Sequence, residues 1–231
     1  MAFADLPANL ARVRDEIARV QSQEGLRGPV RIVAVTKGHP VEAAAAALRA
    51  GILDVGENRV QEALEKQDQA TGVPVTWHLI GHLQTNKAKF VAGRFGWVHS
   101  VDSIRVAEAL ARSIATRGGG QALKVLLQVN VAGEQQKSGC DPAAAGEIAA
   151  RIWELGDLEL LGLMTMAPFT EDEAVQRKVF GDLRRLRDDL ERQGRRLPEL
   201  SMGMSGDFRA AVAEGATMLR LGTVLFGERP A

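Results

Sequence analysis

Strand and helix signals alternate along this chain eight times without a run of consecutive strands, and that order constrains the fold more than any single residue. Short apolar runs, several rich in β-branched residues, recur at 30–37, 53–55, 75–80, 97–101, 123–129, 158–164, 200–202 and 218–221. Between them lie stretches with apolar residues at helical spacing, such as Ile104, Ala107, Leu110, Ala111 and Ile114. Alternation of this kind demands parallel strands joined by right-handed crossovers. Eight units in 231 residues match the count and size of a closed (β/α)8 TIM barrel, read here as one domain over 1–231. An extra helix precedes the first strand, with Leu10, Val13, Ile17 and Val20 on one face; it is expected to close the bottom of the barrel. The competing architecture is an open doubly wound sheet. Its Gly-rich dinucleotide fingerprint is missing, since the loop after the first strand reads Thr36-Lys37-Gly38-His39-Pro40.

Charge narrows the partners. Lys plus Arg equals Asp plus Glu at 29 each, which argues against nucleic acid or an acidic membrane surface and favours small molecules. No apolar stretch is long enough to span a bilayer and residues 4–7 carry no signal-peptide pattern, so a cytoplasmic protein is expected. The lone Cys140 reads as a buried thiol, and the four histidines lack carboxylates at ligand spacing, so no metal site is expected.

Chemistry gathers where a barrel places it, at the C-terminal ends of the strands. Lys37 ends the first apolar run. A lysine in an apolar wall has a depressed pKa and suits attack on a carbonyl, while the plainer reading is a stem that carries its head to water. The loops after strands seven and eight, Gly203-Met204-Ser205-Gly206 and Gly222-Thr223, expose backbone N–H groups and two hydroxyls to an anion. An aldehyde bearing a phosphate would lie across the mouth, its carbonyl at Lys37 and its phosphate at Ser205 and Thr223. Arg220 sits within strand eight, where it either forms a structural ion pair or points inward to donate to a ring nitrogen.

Taken together, several segments resemble a known family. They are Thr36-Lys37, Gly56-Glu57-Asn58 with Gln61-Glu62, the stretch Trp77-His78-Leu79-Ile80-Gly81-His82-Leu83-Gln84-Thr85-Asn86-Lys87, His99-Ser100-Val101-Asp102-Ser103, Gly162-Leu163-Met164-Thr165-Met166-Ala167-Pro168, and the tail from Leu200 through Phe208 and Arg220 to Gly227. They look like the pyridoxal phosphate homeostasis proteins, and the likeness covers nearly the whole chain. It implies a barrel similar to the N-terminal domain of alanine racemase. It also implies pyridoxal 5′-phosphate (PLP) as a Schiff base on Lys37, with Asn58, His78 and Met164 around the cofactor beside Ser205, Gly206, Arg220, Gly222 and Thr223. Ordinary packing is the alternative for Asn58, His78 and Met164. Lys137 is either a second cation near the mouth or a solvated loop lysine.

The implied role is to hold PLP and hand it on, without catalysis, as a monomer whose recipients are PLP-dependent apo-enzymes. The alternative is a PLP-dependent amino-acid racemase or related PLP enzyme. In the alanine racemase group the second base is a tyrosine from another domain; this chain has no Tyr at all, and no second domain is expected after strand eight. A guanidinium at the ring nitrogen would also make a weak electron sink. A cofactor-free Schiff-base aldolase on the same barrel is a third class, separated by the absorption spectrum.

Overall fold

The computed structural model describes residues 3–118, 120–134 and 138–228. Its elements run in the order α1 (Leu6–Gln23), β1 (Arg31–Val35), α2 (Glu42–Arg49), β2 (Asp54–Glu57), α3 (Val60–Gln69), β3 (Thr76–Leu79), a 3-10 helix at Thr85–Phe90, β4 (Trp97–Val101), α4 (Ile104–Thr116) and β5 (Leu123–Gln128). A 3-10 turn at Pro142–Ala144 then leads into α5 (Ala145–Glu154), followed by β6 (Leu158–Met164), α6 (Glu173–Glu191), β7 (Glu199–Ser201), α7 (Phe208–Ala213), β8 (Met218–Leu221) and α8 (Thr223–Phe226). Every strand pairs in parallel with its neighbours in sequence, and β8 closes on β1 from Arg31 opposite Met218 to Ala34 opposite Leu221. The molecule is the expected (β/α)8 barrel, not an open sheet.

Period-two alternation sorts each strand between two cores. In β8, Leu219 and Leu221 join the layer between sheet and helices, while Met218 packs with Trp97, Leu126 and Met164 inside the barrel. Arg220 shares the inward orientation of Met218 and is buried.

Two expectations need correction. The first strand ends at Val35, before Lys37, because the Thr36 carbonyl is taken by the Lys66 ammonium and by the His39 amide. The chain then turns through Gly38 at φ +71°, a backbone conformation that glycine adopts without strain. The N-terminal helix does not close the bottom. Its predicted face, joined by Leu6, is buried against α7 and α8 on the outside of the barrel, where Asn9 donates to the Leu225 carbonyl at 2.9 Å. That position is open because α8 is four residues long. At the N-terminal mouth the bulk is supplied instead by Trp97, with Arg31 and Lys124 over its ring at 5.3 and 5.4 Å.

Candidate functional site

The segment carrying Lys37 is held from both sides. Thr36 donates from Oγ1 to Glu57 Oε1 at 2.6 Å, and the Gly38 amide donates to Glu62 Oε1 at 2.9 Å. Lys66 joins the two carboxylates, its Nζ 2.7 Å from Glu57 and 2.8 Å from Glu62, and donates to the Thr36 carbonyl at 2.7 Å. Glu57 is fully buried, and burial pushes its carboxyl up against the opposing pull of Lys66 and Thr36. Lys37 itself lies half-buried in the turn between these two anchors.

Asn58 follows β2 and is half-buried. Its backbone touches that of Gly81 so closely that a Cβ at Gly81 would lie 2.3 Å from the Asn58 carbonyl oxygen. The loops after β2 and β3 can therefore run together only with glycine at 81.

The loops after β7 and β8 meet. Ser205 Oγ accepts from the Val224 amide at 3.2 Å across 19 positions of sequence. The Asp207 carboxylate shapes the first loop by accepting from the Met204 amide at 2.5 Å. Gly222 caps α8, and a Cβ added there would lie 3.6 Å from Val35 at the end of β1. Gly206 and Thr223 are exposed at this mouth.

Arg220 points into the barrel, donating from Nη1 to Ser201 Oγ at 2.8 Å and from Nη2 to the Thr165 carbonyl at 2.9 Å. Burial pushes its guanidinium down to about 10, opposed by Asp207, so it stays cationic at neutral pH. Among the described residues two of its five N–H donors are engaged, which leaves donors for a ligand.

His78 and Met164 lie inside the barrel. Met164 is part of the inner cluster with Trp97, Leu126 and Met218. Both ring nitrogens of His78 are engaged, Nε2 with Asp54 at 2.8 Å and Nδ1 with His99 Nε2 at 2.9 Å, and its ring stacks on Trp97 at 5.7 Å. Lys137 lies outside the described residues.

Sequence reasoning assigned no role to Asp54, His99, Ser201, Thr165, Glu57, Glu62 or Lys66. Apart from the place of Glu57, Glu62, His99, Thr165 and Ser201 in the segments that carry the resemblance, the local signal was Glu62 four residues before Lys66, which reads equally well as a surface helix pair. A cleft of about 730 Å³ does open among Arg31, Asp54, Trp97 and Lys124, but at the N-terminal mouth, away from Lys37.

Residues 8–230 match the family described as alanine racemase, N-terminal domain. The pyridoxal phosphate homeostasis protein of Pseudomonas aeruginosa is 44% identical, covering 98% of this chain and 97% of that protein. The chain belongs to the pyridoxal phosphate homeostasis protein family. Its counterpart in Aquifex aeolicus is 40% identical over 95% of this chain and 96% of that one. The solved structure of PipY from Synechococcus elongatus PCC7942 with PLP bound is 41% identical, covers 92% of this chain and 99% of that chain, and superposes with a TM-score of 0.80. An alanine racemase of Clostridium difficile, 17% identical with a TM-score of 0.78, covers 100% of this chain and 58% of its own, and shares the fold.

Proposed function

We propose that this chain binds pyridoxal 5′-phosphate at the C-terminal mouth of its barrel, covalently through Lys37, and serves in the cytoplasm to hold the cofactor and pass it to apo-enzymes. The observation that carries the reading is the hydrogen bond from the Val224 amide to Ser205 Oγ, which joins the loops after β7 and β8 into one surface beside the end of β1. Loops at these two positions are where barrels of this class hold phosphate. The residues suit the group. The Ser205 and Thr223 hydroxyls offer donors to the phosphate, and Arg220 offers a buried cation with spare donors to the ring nitrogen. When bound, the cofactor supplies an aldehyde that condenses with the Lys37 amine, releasing one water.

The rest of the work belongs to the chain. Glu57, Glu62 and Lys66 hold the backbone on either side of Lys37, so the amine is presented from a fixed turn. Arg220, cationic at neutral pH, donates to the ring nitrogen and keeps it unprotonated, which disfavours carbanion chemistry. The absence of tyrosine removes the second base of the racemase reading. The relatives carry the name of homeostasis proteins, which supports a non-enzymatic role.

The test is chemical. Protein incubated with PLP should turn yellow, and borohydride should fix the cofactor to the peptide containing Lys37. A reduced adduct found only on another lysine would overturn the assignment.

A further inference from the structure

Inside the barrel, polar side chains from five strands form an unbroken chain. Arg220 on β8 donates to Ser201 on β7; Ser201 Oγ is 2.9 Å from His99 Nδ1 on β4; His99 Nε2 is 2.9 Å from His78 Nδ1 on β3; and His78 Nε2 is 2.8 Å from Asp54 at the start of β2. Ser201, His99 and His78 are fully buried. Asp54 lies at the opposite mouth, 3.8 Å from the Arg31 guanidinium, which also faces Glu199 at 3.9 Å.

The direction of every proton in this chain follows from its ends. A carboxylate only accepts and a guanidinium only donates. Asp54 therefore requires the hydrogen of His78 on Nε2, which makes His78 Nδ1 an acceptor. His99 must then carry its hydrogen on Nε2 and accept at Nδ1. Ser201 must aim its hydroxyl hydrogen at His99, and so turns a lone pair to Arg220. The opposite order would set a bare imidazole nitrogen against the Asp54 carboxylate. Burial holds both imidazoles below their ordinary range, and His99 well below it, so each ring keeps one donor and one acceptor at neutral pH.

We propose that Asp54 is a positioning residue for Arg220: acting through His78, His99 and Ser201, it fixes the lone pair that anchors the guanidinium and so aims the remaining Arg220 donors at the ring nitrogen of the cofactor. This rests on the reading that Arg220 faces that nitrogen. A hydroxyl released from the chain could turn its hydrogen toward Arg220 and lose the bond. In an apolar interior such a network holds its geometry only when every member is satisfied.

Two measurements test this. Nitrogen-15 NMR of the imidazoles in cofactor-free protein should show His78 and His99 both neutral and both protonated on Nε2 at pH 7. A hydrogen on Nδ1 of either ring, or a doubly protonated ring, would overturn the proposal without reference to any ligand. The second measurement compares the dissociation constant of PLP with that of the analogue whose ring nitrogen is replaced by C–H. Wild-type protein should prefer PLP by roughly tenfold or more, the effect of one hydrogen bond from a charged donor. Arg220→Met should abolish the preference. Asp54→Leu should reduce it severalfold, as should His99→Leu, which cuts the chain at its centre and stands in if the first variant does not fold. Asp54→Asn, whose amide oxygen still accepts from His78, should restore it. If Arg220→Met keeps the preference, the reading of Arg220 is wrong and the proposal falls with it. If Arg220→Met abolishes the preference while Asp54→Leu and His99→Leu retain it, Arg220 does face the ring but Asp54 does not position it.

Discussion

Thr36 and Gly38, the two neighbours of Lys37, are tied to one buried ion cluster, and this gives the Lys37 turn its rigidity. Glu57 has one carboxylate oxygen on Thr36 and Lys66 and the other buried without a hydrogen-bond partner among the described residues. Removing the cation should therefore be costly. Lys66→Met leaves an uncompensated buried carboxylate and should lower stability by about 3–5 kcal/mol, with weaker PLP binding. Without Lys66 the folded-state pKa of Glu57 rises further above its unfolded value, so the deficit should grow as pH rises and shrink in acid; thermal unfolding across pH checks both. The buried histidines act with the opposite sign. Their folded pKa values lie below the unfolded one, mainly through burial, so their contribution is present above about pH 6.5 and is lost as pH falls toward the folded values. Wild-type stability should decline from about pH 6.5 downward, and His99→Gln should decline less steeply over the same range. Beyond the Glu62–Lys66 spacing, little of this was legible in sequence, since the cluster joins β2, α3 and the turn after β1, and the interior chain joins five strands. Lys37 and Arg220 were legible because each interrupts an apolar run.

At the scale of elements, the structure reproduces what periodicity can carry and departs where elements are short. The apolar face of α1 and the Ser103 cap of α4 follow from spacing and residue type, and Ser103 Oγ accepts from the Val106 amide. The four residues of α8 are too few to show a period, and the six residues of Thr85–Phe90 fit a 3-10 helix as well as an α-helix. The placement of α1 was not legible for the same reason: it fills the space that a longer α8 would cover. Strand pairing also depends on features that patterning misses. A Cβ at Gly162 in β6 would lie 1.8 Å from the Glu199 carbonyl oxygen at the start of β7. Gly162→Ala must therefore push these strands apart, and should cost on the order of 2 kcal/mol or more and depress PLP binding, because β7 leads directly into the Ser205 loop. Gly156→Ala, at a position with open space around it, is the control and should change neither.

The whole molecule brings together residues that the chain keeps far apart. Closure of β8 on β1 sets the Gly222 loop beside the end of β1, and the Ser205 loop joins it through Val224. The barrel order predicted from alternation was therefore enough to place the loops after β7 and β8 and Lys37 on one mouth, whereas the interior chain from Asp54 to Arg220 required coordinates. The central claim is that this mouth recognises the phosphate of PLP, and the double variant Ser205→Ala/Thr223→Val tests it most directly. Hydrogen bonds to a charged partner contribute about 1.5–3 kcal/mol each, so losing both hydroxyls should weaken PLP binding by roughly two to four powers of ten. The backbone amides remain, which places the expected loss near the lower end. Equilibrium titration of the variant should show that loss for PLP and almost none for pyridoxal, which lacks the phosphate; equal losses for both ligands, or no loss for either, would contradict the account.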